Sequence, residues 1–140
     1  MSQYLLDTNQ LSAAVFSPNS AVRDAIATRI KSGHRVGTSV LALCELQPAI
    51  VSRPRAAHYL HILHHLMGRI RVWPVESAIA VRYGDLFLDL RQSGRALSFV
   101  DVMLAATCLD HGYVLVTSDR DFDAVASLHT EDWNVSAQPT

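Results

Sequence analysis

The sequence predicts an α/β fold in which a parallel sheet carries helices on both faces. Three observations predict it. Short aliphatic runs alternate along the chain with segments whose apolar residues recur every three or four positions. Cap and turn residues (Ser20, Gly33, Ser39, Gly94, Ser98 and Gly112) fall between them. Strand and helix alternate instead of grouping, and parallel strands need such long crossovers.

The elements follow in order. Tyr4-Leu5-Leu6-Asp7 is an apolar run that ends on an acid, a first strand. Residues 20–31 form a helix with Val22, Ile26 and Ile30 four apart and Ser20 as its cap. Gly33-His34 ends it, and Arg35-Val36-Gly37-Thr38 is a second strand. Ser39 caps a helix that runs to about Gln47, where Pro48 is expected to kink or end it. Residues 55–67 are helical, and Arg69 to Pro74 alternates and stops as a strand does. A long helix covers roughly 76–92, and Ser98 caps another over 99–110. Tyr113 to Thr117 is the clearest strand. A short last helix begins at Asp119, and Trp133-Asn134-Val135 is an expected edge strand.

With 140 residues, 49% of them apolar, the chain reads as one domain spanning 1–140 with a substantial core. Six Gly and five Pro leave no low-complexity tract. No stretch approaches the ~18 apolar residues of a membrane span, and no secretory leader is visible. The only cysteines, Cys44 and Cys108, lie in apolar helical surroundings and read as buried, reduced thiols of a cytoplasmic protein. Charge is lopsided: residues 23–71 carry eight basic residues against Asp24 and Glu45, whereas 72–140 carry four against ten acids. Eleven of the twelve basic residues are Arg, which grips phosphate bidentately. The asymmetry allows a basic half that meets a polyanion beside an acidic half that holds cations.

Four acids stand out. Asp7 closes the first strand and Asp119 follows the fourth, so both fall where an open α/β sheet binds ligands. Asp7 reads either as a helix cap or as a metal ligand beside Thr8 and Asn9. Glu45 sits in Ser-Val-Leu-Ala-Leu-Cys-Glu-Leu and is expected to be largely buried, where a lone carboxylate needs a partner. Asp101 completes a Ser98-x-x-Asp101 capping pattern and also shares a helical face with Leu104, Ala105 and Cys108. Asp119 is likewise a plausible cap. The run Asp119-x-Asp121-x-Asp123 is not a calcium loop, because Ala124 and Thr130 stand where Gly and Glu are required. Asp121 and Asp123 read as solvated. Carboxylates gathered together need cations or protons, and oxygen ligands without His or Cys select Mg²⁺ or Mn²⁺.

The stretches Leu5–Asn9, Thr38–Leu46, Leu97–Gly112 and Leu115–Asp123 together resemble the PIN-domain ribonucleases, specifically the VapC-type toxins of bacterial toxin–antitoxin pairs. The resemblance covers nearly the whole chain, with the four motifs in order. It implies a three-layer α/β/α sandwich with a mostly parallel central sheet, and a Mg²⁺- or Mn²⁺-dependent endoribonuclease acting on tRNA, rRNA or mRNA. By position, Asp7, Asp101 and Asp119 match metal ligands. Glu45 matches the helix glutamate that completes the catalytic set. Thr8, Asn9, Thr117 and Ser118 match supporting residues. The resemblance further implies a homodimer, a cognate antitoxin that inserts a segment at the site, contact with DNA only through that antitoxin, and no membrane. Gln47-Pro48 departs from the basic residue and glycine common after the glutamate.

Other features receive simpler readings. His58, His61 and His65 share a helical face but lack a completing acid or Cys, so a solvated or dimer-facing stripe is expected. Trp73 and Tyr83 read as core or dimer contacts. Arg91 and Arg95 read either as RNA contacts or as a solvated helix end. The competing function is a catalytically idle module that serves as an antitoxin-binding scaffold in a DNA-bound autoregulatory complex.

Overall fold

Strand β1 (Gln3–Leu6) lies at the centre of a five-stranded sheet in the computed structural model, which describes residues 1–135. The other strands are β2 (Arg35–Ser39), β3 (Arg71–Trp73), β4 (Val114–Val116) and β5 (Thr130–Glu131). Their order is β3-β2-β1-β4-β5, and every neighbouring pair is parallel. Helices α1 (Thr8–Phe16) and α2 (Ala21–Lys31) link β1 to β2. Helices α3 (Val40–Val51) and α4 (Ala56–Met67) link β2 to β3, and α5 (Ile79–Gln92) and α6 (Phe99–His111) link β3 to β4. A 3₁₀ turn over Arg120–Ala124 precedes β5.

The alternation of side chains along β1 divides the interior in two. Tyr4 and Leu6 point into a core built with Leu11, Ile26, Leu46 and Ile50 of the first helices. Leu5 points the other way, to Leu86, Leu90, Leu104, Leu115 and Phe122. Helices α1–α4 therefore cover one face and α5–α6 the other, giving the three-layer α/β/α sandwich. The strand order explains this split. The first two crossovers step outward from β1 in one direction, and the third returns across β1 to its other side. Crossovers of one constant hand must then lie on opposite faces.

Local sequence chemistry sets the boundaries. Ser20, Ser39 and Ser98 each accept a backbone N–H in the first turn of α2, α3 and α6. Gly112 ends α6 with φ +73°, a left-handed conformation that glycine adopts without strain. Gly37 in β2 has a different role: a Cβ there would sit 2.6 Å from the Trp73 ring. Its absence lets the Trp73 ring lie over β2 and stack on Tyr113 at 4.4 Å between centroids.

Three elements depart from the sequence reading: helix α1, which Asp7 caps, is absent from the expected elements. Helix α3 passes through Pro48 and continues to Val51. Proline removes one helical donor, but buried Leu46 and Ile50 flank it and anchor both sides of the break in the core. The last strand is Thr130–Glu131 instead of 133–135. Trp133 turns inward against Tyr4, at 5.1 Å between centroids, with the Arg29 guanidinium 4.9 Å from its ring. Among the described residues no helix is long and apolar enough to cross a membrane.

Candidate functional site

The direction of strand succession reverses between β1 and β4, and the crevice at their carboxyl ends is where such a sheet receives a ligand. Asp7 follows β1 there, its N–H donating to the Val116 carbonyl at 2.9 Å. Thr117 follows β4, its N–H donating to the Glu131 carbonyl at 2.8 Å. The first turn of α6 carries Asp101, the second turn of α3 carries Glu45, and the loop after β4 carries Asp119.

Asp7 is only 5% exposed, and both of its carboxylate oxygens are held. Oδ1 accepts the Thr8 N–H at 2.7 Å. Oδ2 accepts the Thr117 hydroxyl at 2.9 Å and the Asn9 side-chain amide at 3.1 Å. The same Asn9 amide lies 3.1 Å from Thr117 Oγ1, and Asn9 Oδ1 accepts the Ser118 N–H at 3.1 Å. Thr117 Oγ1 in turn accepts the Asp119 N–H at 3.1 Å. The Thr8 hydroxyl donates to Glu45 Oε1 at 3.2 Å. Three consecutive residues after β1 thus bind the loop after β4 on one side and α3 on the other.

The acids share one electrostatic field. Burial pushes the Asp7 carboxyl up from the ordinary carboxylate range; hydrogen bonds from Thr8 and Thr117 oppose this, and the charges of Glu45 and Asp119 add to it. Burial likewise raises Asp101, opposed by Ser98 and reinforced by Asp7, Asp119 and Asp121. Among the described residues none of Asp7, Glu45, Asp101 or Asp119 has an Arg, Lys or His within ion-pair distance. The repulsion is left for something outside the chain to relieve.

The donor set is oxygen only. Among the described residues no three His, Cys, Asp or Glu side chains are assembled tightly enough to enclose an ion by themselves. Mg²⁺ does not require such a cage: it keeps several waters and takes one or two carboxylates directly. The residues present fit a hydrated hard cation and do not fit a closed zinc site.

This arrangement has a known counterpart, because the model of the PIN domain matches residues 4–128. The chain belongs to the PIN-domain family. The tRNA(fMet)-specific endonuclease VapC of Shigella flexneri is 27% identical to this PIN domain over 96% of the chain and the whole of that protein. Ribonuclease VapC2 of Rickettsia felis is 22% identical over 94% of the chain and 98% of its own length. The crystal structure of VapBC2 from Rickettsia felis bound to a DNA fragment from their promoter superposes with a TM-score of 0.85 at 21% identity, covering 94% of this chain and 98% of that one. That likeness establishes the fold.

Within this PIN domain two sequence expectations are corrected. Glu45 and Cys44 were expected to be buried, yet both are exposed. The buried stripe of α3 is Ala42, Leu46 and Ile50, spaced four apart, and positions 44 and 45 lie off it. Asp121, read as a solvated residue, is exposed but still bears on Asp101. Its N–H donates to Asp119 Oδ1 at 2.9 Å. Gln10 escaped the sequence reading altogether. It is wholly buried, donates to Asp132 Oδ1 at 2.9 Å and accepts the Trp133 N–H at 3.1 Å. The available signal was an amide in the otherwise small and apolar stretch Leu11–Phe16 that it introduces.

Proposed function

We propose that this PIN domain is the toxin of a toxin–antitoxin pair, a Mg²⁺- or Mn²⁺-dependent endoribonuclease that hydrolyses RNA phosphodiester bonds and is inhibited by a cognate antitoxin. The observation that carries the reading is the group of four acids at the carboxyl ends of β1 and β4, with Asp7 and Asp101 held above the ordinary carboxylate range and no protein cation within ion-pair distance among the described residues. The endonuclease and ribonuclease names of the relatives support it.

Asp7, Asp101 and Asp119 are the proposed metal ligands, one or two of them directly and the rest through the cation's waters. Bound there, the cation would supply Lewis-acid activation of water and stabilisation of the leaving oxygen. Thr8, Asn9 and Thr117 fix the rotamer of Asp7 through the hydrogen bonds described above, so its position does not depend on the ligand. Glu45 is exposed and tethered by Thr8, which suits it to accept a proton from the attacking water. The substrate class is RNA, with tRNA, rRNA and mRNA as candidates. An antitoxin Arg would neutralise the acids in place of the metal. Contact with DNA is proposed to run only through the antitoxin; the Rickettsia felis VapBC2 complex bound to a promoter fragment is consistent with a DNA-associated pair. A homodimer, for which Val81 and Phe99 offer exposed apolar contacts at 77% and 64%, and a cytoplasmic setting complete the proposal.

The test is induced expression with sequencing of RNA 5′ ends, paired with cleavage of total RNA by purified protein. Wild type should arrest growth and create discrete new ends in Mg²⁺ or Mn²⁺, while chelation and Asp7→Asn abolish both. Equal behaviour of wild type and Asp7→Asn, with no new ends, would sink the nuclease reading in favour of an idle antitoxin-binding scaffold.

A further inference from the structure

A polyanion approaching these carboxylates needs cations close to them, and several of this chain's guanidinium groups are already engaged. Arg23 is engaged with the carbonyls of Ala14 and Pro18, Arg29 with Glu131, and Arg120 with Asp123. Arg53 lies over the Phe16 ring at 3.7 Å. Arg91 and Arg95 differ. Both are exposed, and neither has a carboxylate within ion-pair distance among the described residues; Arg35, Arg55, Arg69, Arg71 and Arg82 share that freedom, and what sets Arg91 and Arg95 apart is the cavity they line together.

They border a cavity of about 200 Å³ between the end of α5 and the start of α6, whose floor includes Phe87, Leu97 and Val102. Leu97 and Val102 bracket Ser98 and Asp101 at the start of α6, so the cavity lies at the same helix end that carries Asp101. Its geometry is fixed by the backbone. The Arg95 N–H donates to the Leu90 carbonyl at 2.9 Å, and Gly94 turns the chain with φ +69°. Phe87 is 45% exposed beside these two guanidiniums, and its ring lies parallel to that of Tyr83 at 6.1 Å between centroids.

We infer that this cavity is a nucleotide subsite for single-stranded RNA flanking the scissile bond, with Arg91 and Arg95 on phosphates and a base stacked against Phe87. The inference rests on the ribonuclease reading and deepens it. A phosphate-binding pair next to an aromatic platform is how proteins hold single strands, and here it also offsets the repulsion between the RNA and the carboxylates.

The test is fluorescence anisotropy of a labelled single-stranded RNA oligonucleotide, without divalent metal, across a salt series, alongside the cleavage assay. Arg91→Ala/Arg95→Ala should weaken binding at least tenfold and flatten the slope of log K against log salt by about 1.4, the share of two phosphate contacts on a single strand. Arg91→Lys/Arg95→Lys should restore the slope. Phe87→Leu should weaken binding about fivefold or more without changing the slope. Arg82→Ala, an exposed arginine outside the cavity, should match wild type. Melting curves of every variant report folding. If wild type binds and cleaves while the double alanine variant keeps its affinity and slope, the subsite is refuted and the nuclease stands. If wild type neither binds nor cleaves RNA, both fall. If an oligoglutamate peptide binds as tightly and loses as much in the double variant, the site takes acidic protein and the RNA assignment is overturned.

Discussion

The Thr117 hydroxyl donates to Asp7 Oδ2 at 2.9 Å across the junction of the first and fourth strands. Thr117 Oγ1 also accepts the Asp119 N–H at 3.1 Å, so one hydroxyl orders two of the proposed ligands. Thr117→Val is therefore expected to lower metal affinity or cleavage about 10- to 100-fold, the range for outer partners of metal ligands. Thr117→Ser should retain most of both. Isothermal titration with Mn²⁺ and a cleavage time course measure the two effects; a Val variant equal to wild type in both would refute the role.

Asp101→Asn is expected to stabilise the metal-free protein at neutral pH. The folded-state pKa of Asp101 is raised, so the native state holds its proton more tightly than the unfolded chain does. Stability from such a group is present at low pH and lost as pH rises through the raised value. The melting-temperature advantage of the variant in chelator should be visible at pH 7.5 and shrink as pH falls toward 4. An advantage independent of pH would contradict the assignment.

Asp7 and Asp101 should also set the acid limb of activity. Both carboxyls are held above the ordinary range, so cleavage is expected to fail at a higher pH than free carboxylates would dictate. Cation and proton compete for the same oxygens. Raising Mg²⁺ should move the midpoint of the limb to lower pH. Profiles at two Mg²⁺ concentrations decide it, and a fixed midpoint counts against metal binding by these groups.

Gly37→Ala is expected to destabilise the fold by about 1–3 kcal/mol, the usual range for overpacking. The new methyl would meet the Trp73 ring at 2.6 Å and the Arg71 carbonyl at 2.8 Å, so the ring must leave its stack on Tyr113. Urea denaturation gives the loss, and tryptophan fluorescence should report the displaced indole.

Gln10→Leu should cost about 1–3 kcal/mol, because it leaves the buried Trp133 N–H without its acceptor. The damage should concentrate at the β5 edge. Hydrogen exchange is expected to show faster exchange at Thr117 and Trp133 than in the wild type, with the α5–α6 layer unchanged.

Much of this architecture is legible in the sequence because capping residues and proposed ligands coincide. Asp7 and Asp119 occupy N-cap positions, and Asp101 lies three residues beyond the Ser98 cap, so ordinary helix grammar marks the same places as the chemistry. The caps at Ser20, Ser39 and Ser98 also fix three helix starts. What could not be read depends on distant packing. Glu45 sits in an apolar string, but only the neighbours of α3 decide which stripe is buried, and the stripe is Ala42, Leu46 and Ile50. Pro48 is a local stop signal overridden by the anchoring of residues on both sides. The aromatic and β-branched character of 133–135 suggests a strand, yet Trp133 is drawn inward by Tyr4 and Gln10. The bonds from Asn9 to Thr117 and Ser118 join residues more than a hundred positions apart, beyond any local pattern.

Asp7 and Thr117 are separated by 110 residues, although their strands are neighbours. Contacts of such separation form late, both in refolding and during translation. As the chain leaves the ribosome, β1 waits at the middle of a half-built sheet, and Asp7 has neither its hydroxyl partner nor Asp119 beside it. Stalled nascent chains truncated before residue 114 are accordingly expected to show no nuclease activity, which release of the full chain restores. Under the proposed nuclease reading, chain connectivity alone keeps the site unassembled until β4 has been synthesised.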